Sequence, residues 1–281
     1  MALDRKKFAT RTASAAVFVV LLLGCVWLHW MSLIIFFTLV GLVGLWEYYK
    51  LANRVGQSPF RPVGFFLHLL SVAMIFWMGY YKLAIPELVV LIAVLFGPAY
   101  LLMQLFKQAP SVFKVPGVLM GFVYVTVPIL LLIYMGIART GITPDDWSPF
   151  RILGMIFFIW INDTGAYLVG SFIGKHKMYE RISPGKTWEG TIGGVLLCFA
   201  FSFVMVKIFP QLELHHWMVI SVLVGIFGTL GDLVESMLKR LAGVKDSGNI
   251  MPGHGGVLDR FDSLLFVTPF VFAYLLALGK I

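Results

Sequence analysis

Long apolar runs recur along the whole chain, and this pattern limits the fold more than any other feature. A helix needs roughly 20 apolar residues to cross the hydrocarbon core of a bilayer. Nine runs of about that length can be drawn, at 13–29, 31–50, 63–80, 85–106, 116–137, 152–173, 188–209, 217–238 and 262–279. A large soluble core does not account for them, because only 13% of the residues are charged, against about 25% in soluble domains. The pattern predicts an all-α, polytopic integral membrane protein with about nine transmembrane helices.

Arg5, Lys6 and Lys7 precede the first run, as in a signal peptide. That run lacks a convincing small-residue cleavage site and eight more follow it, so it reads as a retained helix. Cys25 and Cys198 fall inside runs. They have neither metal-ligand spacing nor a disulfide framework, and they read as small buried apolar groups.

Basic residues in short loops stay cytoplasmic. With nine spans, alternation leaves Lys82, Arg139, Arg151, Lys207 and Lys280 on one side, and every other Lys and Arg of the 22 on the other. The N-terminus is therefore expected in the cytoplasm and the C-terminus across the membrane. The net charge of +8 suits a protein beside anionic headgroups, or one that binds an anionic substrate.

Two regions differ in texture. Residues 1–150 read as structural helices, with possible dimer and lipid contacts. Glu47, beside Tyr48, Tyr49 and Lys50, reads as an interfacial anchor or as a group supporting a site from behind. Nothing else in this half suggests chemistry. Residues 151–281 hold Asp163, Glu180, Glu189, Glu213, Asp232, Glu235, Asp246, Asp259 and Asp262. Acids inside a membrane span are expensive and face a protein interior or a water-filled cavity, so this half is expected to be catalytic.

Four constellations stand out. Asp163 lies in the middle of span 6, where a carboxylate needs a cation, a proton or a donor network. A structural hydrogen-bonded cluster is the competing reading. Next, Ser183-Pro184-Gly185-Lys186-Thr187-Trp188-Glu189-Gly190 invites comparison with a P-loop. The comparison fails, because Glu180 stands where the first glycine is required and no strand is expected ahead of it. Lys186 and Thr187 at the start of span 7 still form an arrangement that favours phosphate; a basic loop obeying the charge rule is the plainer alternative.

At the end of span 8, Asp232, Glu235, Ser236 and Lys239 recur at i, i+3, i+4 and i+7 and share one helix face, with Arg240 following. Two carboxylates followed by two cations suit a metal site with a phosphate clamp; an internal salt-bridge network is the alternative. The fourth constellation is the Gly- and Pro-rich loop from Lys245 to Asp262, with Asp246, Asp259 and Asp262 as hard oxygen ligands suited to Mg²⁺. His254 in that loop is either a packing residue or a phosphate contact. With no Cys/His cluster a soft metal is not expected, and no Ser-His-Asp arrangement is evident. The set points to phosphoryl or nucleotidyl transfer, where positioning and charge neutralisation dominate.

The run Ser236-Met237-Leu238-Lys239-Arg240, then Lys245-Asp246, then His254-Gly255-Gly256-Val257-Leu258-Asp259-Arg260-Phe261-Asp262, resembles the signature of phosphatidate cytidylyltransferases (CDP-diacylglycerol synthases). Asp163-Thr164-Gly165-Ala166-Tyr167 and the Ser183–Gly190 stretch resemble the same family. The motifs cover residues 162–262; Met251 stands where Leu, Ile or Phe is expected, one apolar residue for another. The resemblance implies a helical, dimeric membrane enzyme, expected in a bacterial inner membrane, and the charge count turns its site towards the cytoplasm. It implies transfer of CMP from CTP to phosphatidic acid, with Mg²⁺ and a second cation such as K⁺.

On that reading Asp232, Asp259 and Asp246 are the first metal ligands, with Asp163, Glu235 and Asp262 behind them or on a second cation. Lys239, Arg240 and Lys186 hold phosphates. Ser183, Thr187, His254, Gly255, Gly256 and Arg260 complete the substrate cradle. Nucleic acid is not an expected partner. A secondary transporter is the rival from another class, but no paired broken helices are seen in the two halves. The CDP-alcohol phosphotransferase type would need its own closely spaced aspartate motif, which is not found.

Overall fold

The computed structural model describes residues 5–81, 98, 101–102, 104–106, 117–137, 149–250 and 255–281. Among these, six helices are long and apolar enough to cross a membrane. The expected span 85–106 lies largely outside the described residues, as do Lys82, Arg139 and His254. A bilayer offers no water to backbone N–H and C=O groups, so helices are the natural way to cross it. The chain is an integral membrane protein of helical fold.

The helices are α1 (Arg5–Leu28), α2 (Trp30–Arg54), α3 (Arg61–Tyr81), α4 (Gly117–Gly121), α5 (Val127–Ile137), α6 (Phe150–Ile173), α7 (Trp188–Ile208), α8 (Leu214–Leu241) and α9 (Leu258–Ala277). A π-helical turn, Phe122–Thr126, joins α4 to α5. Pro128 explains that turn in part: it has no N–H to return to Tyr124, and the ladder is shifted just ahead of it, with Val127 N–H bonded to the Phe122 carbonyl.

The residues fall into two compact units. The first comprises 1–84, 111–149 and 238–261; the second comprises 85–110, 150–237 and 262–281. The stretch Leu238–Phe261, which carries much of the motif, thus packs with the N-terminal helices.

In the first unit, α1 and α2 meet at a tight turn. His29 Nδ1 caps α2 by accepting from Met31 N–H at 3.1 Å, and Ser32 Oγ donates to the carbonyls of Cys25 and His29. α2 buries Leu33, Phe37, Leu45, Tyr48 and Glu47. His68 of α3 is fully buried, with Nδ1 3.1 Å from Thr126 Oγ1 and Nε2 3.3 Å from the Thr38 carbonyl, so its polar atoms find partners inside the protein.

In the second unit, α6 and α7 run side by side at close range. A Cβ on Gly190 would stand 2.7 Å from the Ala166 carbonyl oxygen, closer than packing tolerates. Small residues are what permit such an approach. On the other face of α7, Ile192, Leu196 and Phe203 are exposed, as suits a helix turned to lipid. Between the two helices stands a feature the sequence did not announce, an antiparallel hairpin of β1 (Lys177–Tyr179) and β2 (Ser183–Thr187). No strand was expected ahead of Lys186, and the structure corrects this: β2 leads directly into α7. The P-loop comparison still fails on Glu180.

Candidate active site

The hairpin in the second unit is fixed at its base. Glu189, in the first turn of α7, accepts from the backbone N–H groups of Lys175 and His176 at 3.2 Å and lies 2.5 Å from His176 Nδ1. Trp188 N–H donates to the His176 carbonyl at 2.9 Å. Thr187 then caps α7, its Oγ1 accepting from Gly190 N–H at 3.2 Å. With both ends of β2 tied down, Lys186 is aimed at α8. Its Nζ lies 2.6 Å from Asp232 Oδ2 and 3.1 Å from the Thr229 carbonyl.

A cavity of about 500 Å³ opens here, lined by Asn162, Asp163, Tyr167, Ser183, Lys186 and Asp232, among others. That size is within the range of small-molecule sites. Four expected residues, Asp163, Ser183, Lys186 and Thr187, therefore share one cavity with Asp232. Asp163 is exposed, while Thr187 is buried. Asn162, which stands beside Asp163 in the sequence motif but has no expected role of its own, donates from Nδ2 to Thr229 Oγ1 at 3.3 Å.

Asp232 also belongs to a carboxylate group. Oxygens of Asp232, Glu235 and Asp262 lie within 4.8 Å of one another. Their closeness has a local cause. Gly231 on α8 faces Phe266 and the Asp262 carbonyl, where an added Cβ would stand 2.6 Å from the Phe266 side chain. With no side chain at Gly231, α8 and α9 approach closely, and Ser263 Oγ ties them by donating to the Gly228 carbonyl at 3.1 Å. Asp262 Oδ1 accepts from Ser263 N–H at 2.6 Å, and Ser236 Oγ donates to Asp232 Oδ1 at 3.3 Å.

Three carboxylates this close repel unless a cation or a proton intervenes. All the donors are hard oxygens, the set a divalent cation such as Mg²⁺ takes together with substrate phosphates. The residues therefore fit a hard metal and not a soft one.

The first unit holds a second charged cluster, around Asp259 in the first turn of α9. Asp259 Oδ2 accepts from Gly256 N–H at 2.7 Å and from the N–H and Oγ of Ser247, each at 2.9 Å. Its Oδ1 lies 2.7 Å from Lys239 Nζ, and the two side chains are only 5% and 12% exposed. Gly255 makes this possible with φ of 83°, a conformation costly for other residues; a Cβ there would also stand 2.6 Å from Asp259 Oδ2. Asp246 is exposed, with its Cβ on the Gly255 side. Arg240 Nη1 donates to the Val244 carbonyl at 3.2 Å, and Arg260 is exposed. An apolar groove of about 1000 Å³ runs along α1 and α2 in the same unit, its lining including Phe18, Phe36, Val43, Val257 and Phe261.

Asp232, Glu235 and Asp262 converge in the second unit, and Asp259 is enclosed by donors in the first.

Comparison with known proteins decides the family. The model of the cytidylyltransferase family matches residues 9–278, nearly the whole chain. The chain belongs to the cytidylyltransferase family. Among its curated relatives, the phosphatidate cytidylyltransferase of Staphylococcus haemolyticus is 51% identical over 120 residues, 42% of this chain and 46% of that protein. That of Bacillus subtilis is 47% identical over 136 residues, 48% of this chain and 50% of the relative. That of Staphylococcus aureus is 51% identical over 120 residues. The chain spans about half the length of the curated relatives it matches. Membership of the cytidylyltransferase family leaves the transporter alternative without support.

Proposed function

We propose that this cytidylyltransferase moves CMP from CTP to phosphatidic acid, giving CDP-diacylglycerol and pyrophosphate for phospholipid biosynthesis. The observation that carries the reading is the Asp232, Glu235 and Asp262 carboxylate group, whose Asp232 pairs with Lys186 and lines with it a cavity of small-molecule size, in a member of this family. Names of the curated relatives point the same way.

A phosphatidate phosphate oxygen attacks the α-phosphorus of CTP in line. The new P–O bond forms as the bond from the α-phosphorus to its β-bridging oxygen breaks, and pyrophosphate leaves with that electron pair. No covalent enzyme intermediate is required. Mg²⁺, held by Asp232, Glu235 and Asp262, would neutralise charge on the triphosphate. Lys186 places a further positive charge where the phosphates lie, and Ser183 offers a hydroxyl donor in the same cavity. Lys239, paired with Asp259, is assigned the role of a phosphate group's cation. The apolar groove along α1 and α2 suits acyl chains.

Mg²⁺ dependence, a second cation such as K⁺, a homodimer, and an inner-membrane setting with the site towards the cytoplasm belong to this proposal. The test is direct. Purified protein in detergent or vesicles is mixed with CTP labelled in its α-phosphate, phosphatidic acid and Mg²⁺. Labelled lipid and an equal amount of pyrophosphate are the expected products. Pyrophosphate release without labelled lipid, or no turnover with any divalent ion, overturns the reading.

A further inference from the structure

Glu47 lies in the half of the chain where the sequence suggested no chemistry, yet it is fully buried and reaches the signature loop. Its Oε1 accepts from Val257 N–H at 3.0 Å, and its Oε2 accepts from Leu258 N–H at 2.8 Å and from Ser247 Oγ at 3.1 Å. Val257 and Leu258 are the residues at which α9 starts. Their N–H groups have no partner within the helix and favour a negative charge. The fit is tight: a Cβ on Gly248 or on Gly256 would collide with the Glu47 carboxylate.

Ser247 links this carboxylate to another. Its Oγ lies 3.1 Å from Glu47 and 2.9 Å from Asp259 Oδ2. A hydroxyl carries one hydrogen, so both carboxylates hold Ser247 through a single shared donor. Meanwhile Glu47 fixes residues 257 and 258, and Asp259 follows immediately. The orientation of Asp259, and through it of Lys239, is thus determined from two directions by Glu47.

We infer that Glu47 is a positioning residue for the transfer reaction: it holds Ser247 and the first turn of α9 so that Asp259 and Lys239 stand in register. This rests on the reading of the chain as a CTP-dependent transferase. The carboxylate is specifically required, because a backbone N–H, which can only donate, faces each of its two oxygens. A glutamine of the same shape presents an NH₂ group to one of these N–H groups, and a buried donor facing a donor is left unsatisfied.

The experiment compares the unaltered protein with Glu47→Gln, Glu47→Asp and Ser247→Ala in the assay above, together with hydrogen exchange of the peptide spanning residues 245–262. Small displacements of positioned groups reduce turnover more than binding. For Glu47→Gln, kcat is expected to fall about tenfold or more while KM for CTP moves less than about threefold. Exchange at Val257 and Leu258 should speed up. Glu47→Asp, which keeps the charge, should recover part of the loss. If Glu47→Gln fails to fold, Ser247→Ala reads the same link and should also lower kcat. Glu47→Gln or Ser247→Ala at full kcat overturns the inference, as does a loss equal for Asp and Gln. An unaltered protein without turnover overturns the functional reading instead.

Discussion

Lys186 and Asp232 form an ion pair at 2.6 Å, and it joins the hairpin before α7 to the carboxylate group of α8 and α9. Lys186 is half-buried, so its charge is only partly screened. Replacing it with methionine leaves the Asp232, Glu235 and Asp262 group without this compensation and removes a phosphate partner. The expected loss in kcat/KM for CTP is about 10²-fold, the scale seen when one preorganised charge-stabilising donor is removed. Steady-state kinetics at varied CTP measure it; a value within threefold of the unaltered protein contradicts the assignment.

The carboxylate group itself predicts metal dependence. Asp232→Asn and Asp262→Asn should each abolish CTP-dependent turnover while the protein still purifies as an assembled species. Chelation should stop the unaltered enzyme, and added Mg²⁺ should restore it. Calorimetric titration of Mg²⁺ with CTP present separates the cases, because both variants should lose the high-affinity phase. Retention of that phase in Asp232→Asn counts against Asp232 as a ligand.

Asp259→Asn should cost stability as well as activity. One face of this carboxylate takes three donors, and the other faces the Lys239 ammonium. An asparagine has only one acceptor oxygen, so its NH₂ must oppose either those donors or the lysine. Breaking a buried pair of this kind costs about 3 kcal/mol. The thermal midpoint in detergent should fall by several degrees, and CTP-dependent turnover should be lost. An unchanged midpoint would contradict the role given to the enclosure.

Gly255→Ala tests the same loop through the backbone. A left-handed conformation costs a non-glycine residue about 1–2 kcal/mol, and here the new methyl group would also press on Asp259 Oδ2. Turnover is expected to fall at least tenfold with little change in helix content by circular dichroism. Full activity in this variant means the loop does not need its observed conformation.

Helices with long uninterrupted apolar sequences were legible. Spans drawn at 152–173 and 188–209 are the helices Phe150–Ile173 and Trp188–Ile208. The Asp232, Glu235 and Ser236 stripe was also legible, because helical spacing is a local property. Gly231 held the further signal that α8 and α9 meet there, since a glycine beside an intramembrane acid marks close approach. The hairpin at 177–187 was not legible: its strands are short, and β2 contains Pro184 and Gly185, which hide any alternation. Glu47 was only half legible. A buried acid at a helix end can anchor or support, and the donors that decide between them, Ser247, Val257 and Leu258, lie 200 to 211 residues further along the chain.

The close contact of α6 with α7 has a consequence for the order in which the protein assembles. These helices and the hairpin between them are contiguous from Phe150 to Ile208, so they can pair as soon as that stretch leaves the ribosome and enters the bilayer. Such local contacts close quickly. Lys186 must wait for Asp232, and Glu47 must wait until Leu258 has been made. A chain stalled in synthesis before α8 would therefore already contain the docked α6–α7 pair while lacking the links that order its charged groups. Nascent chains of increasing length, probed by crosslinking between α6 and α7, should reveal that sequence of events.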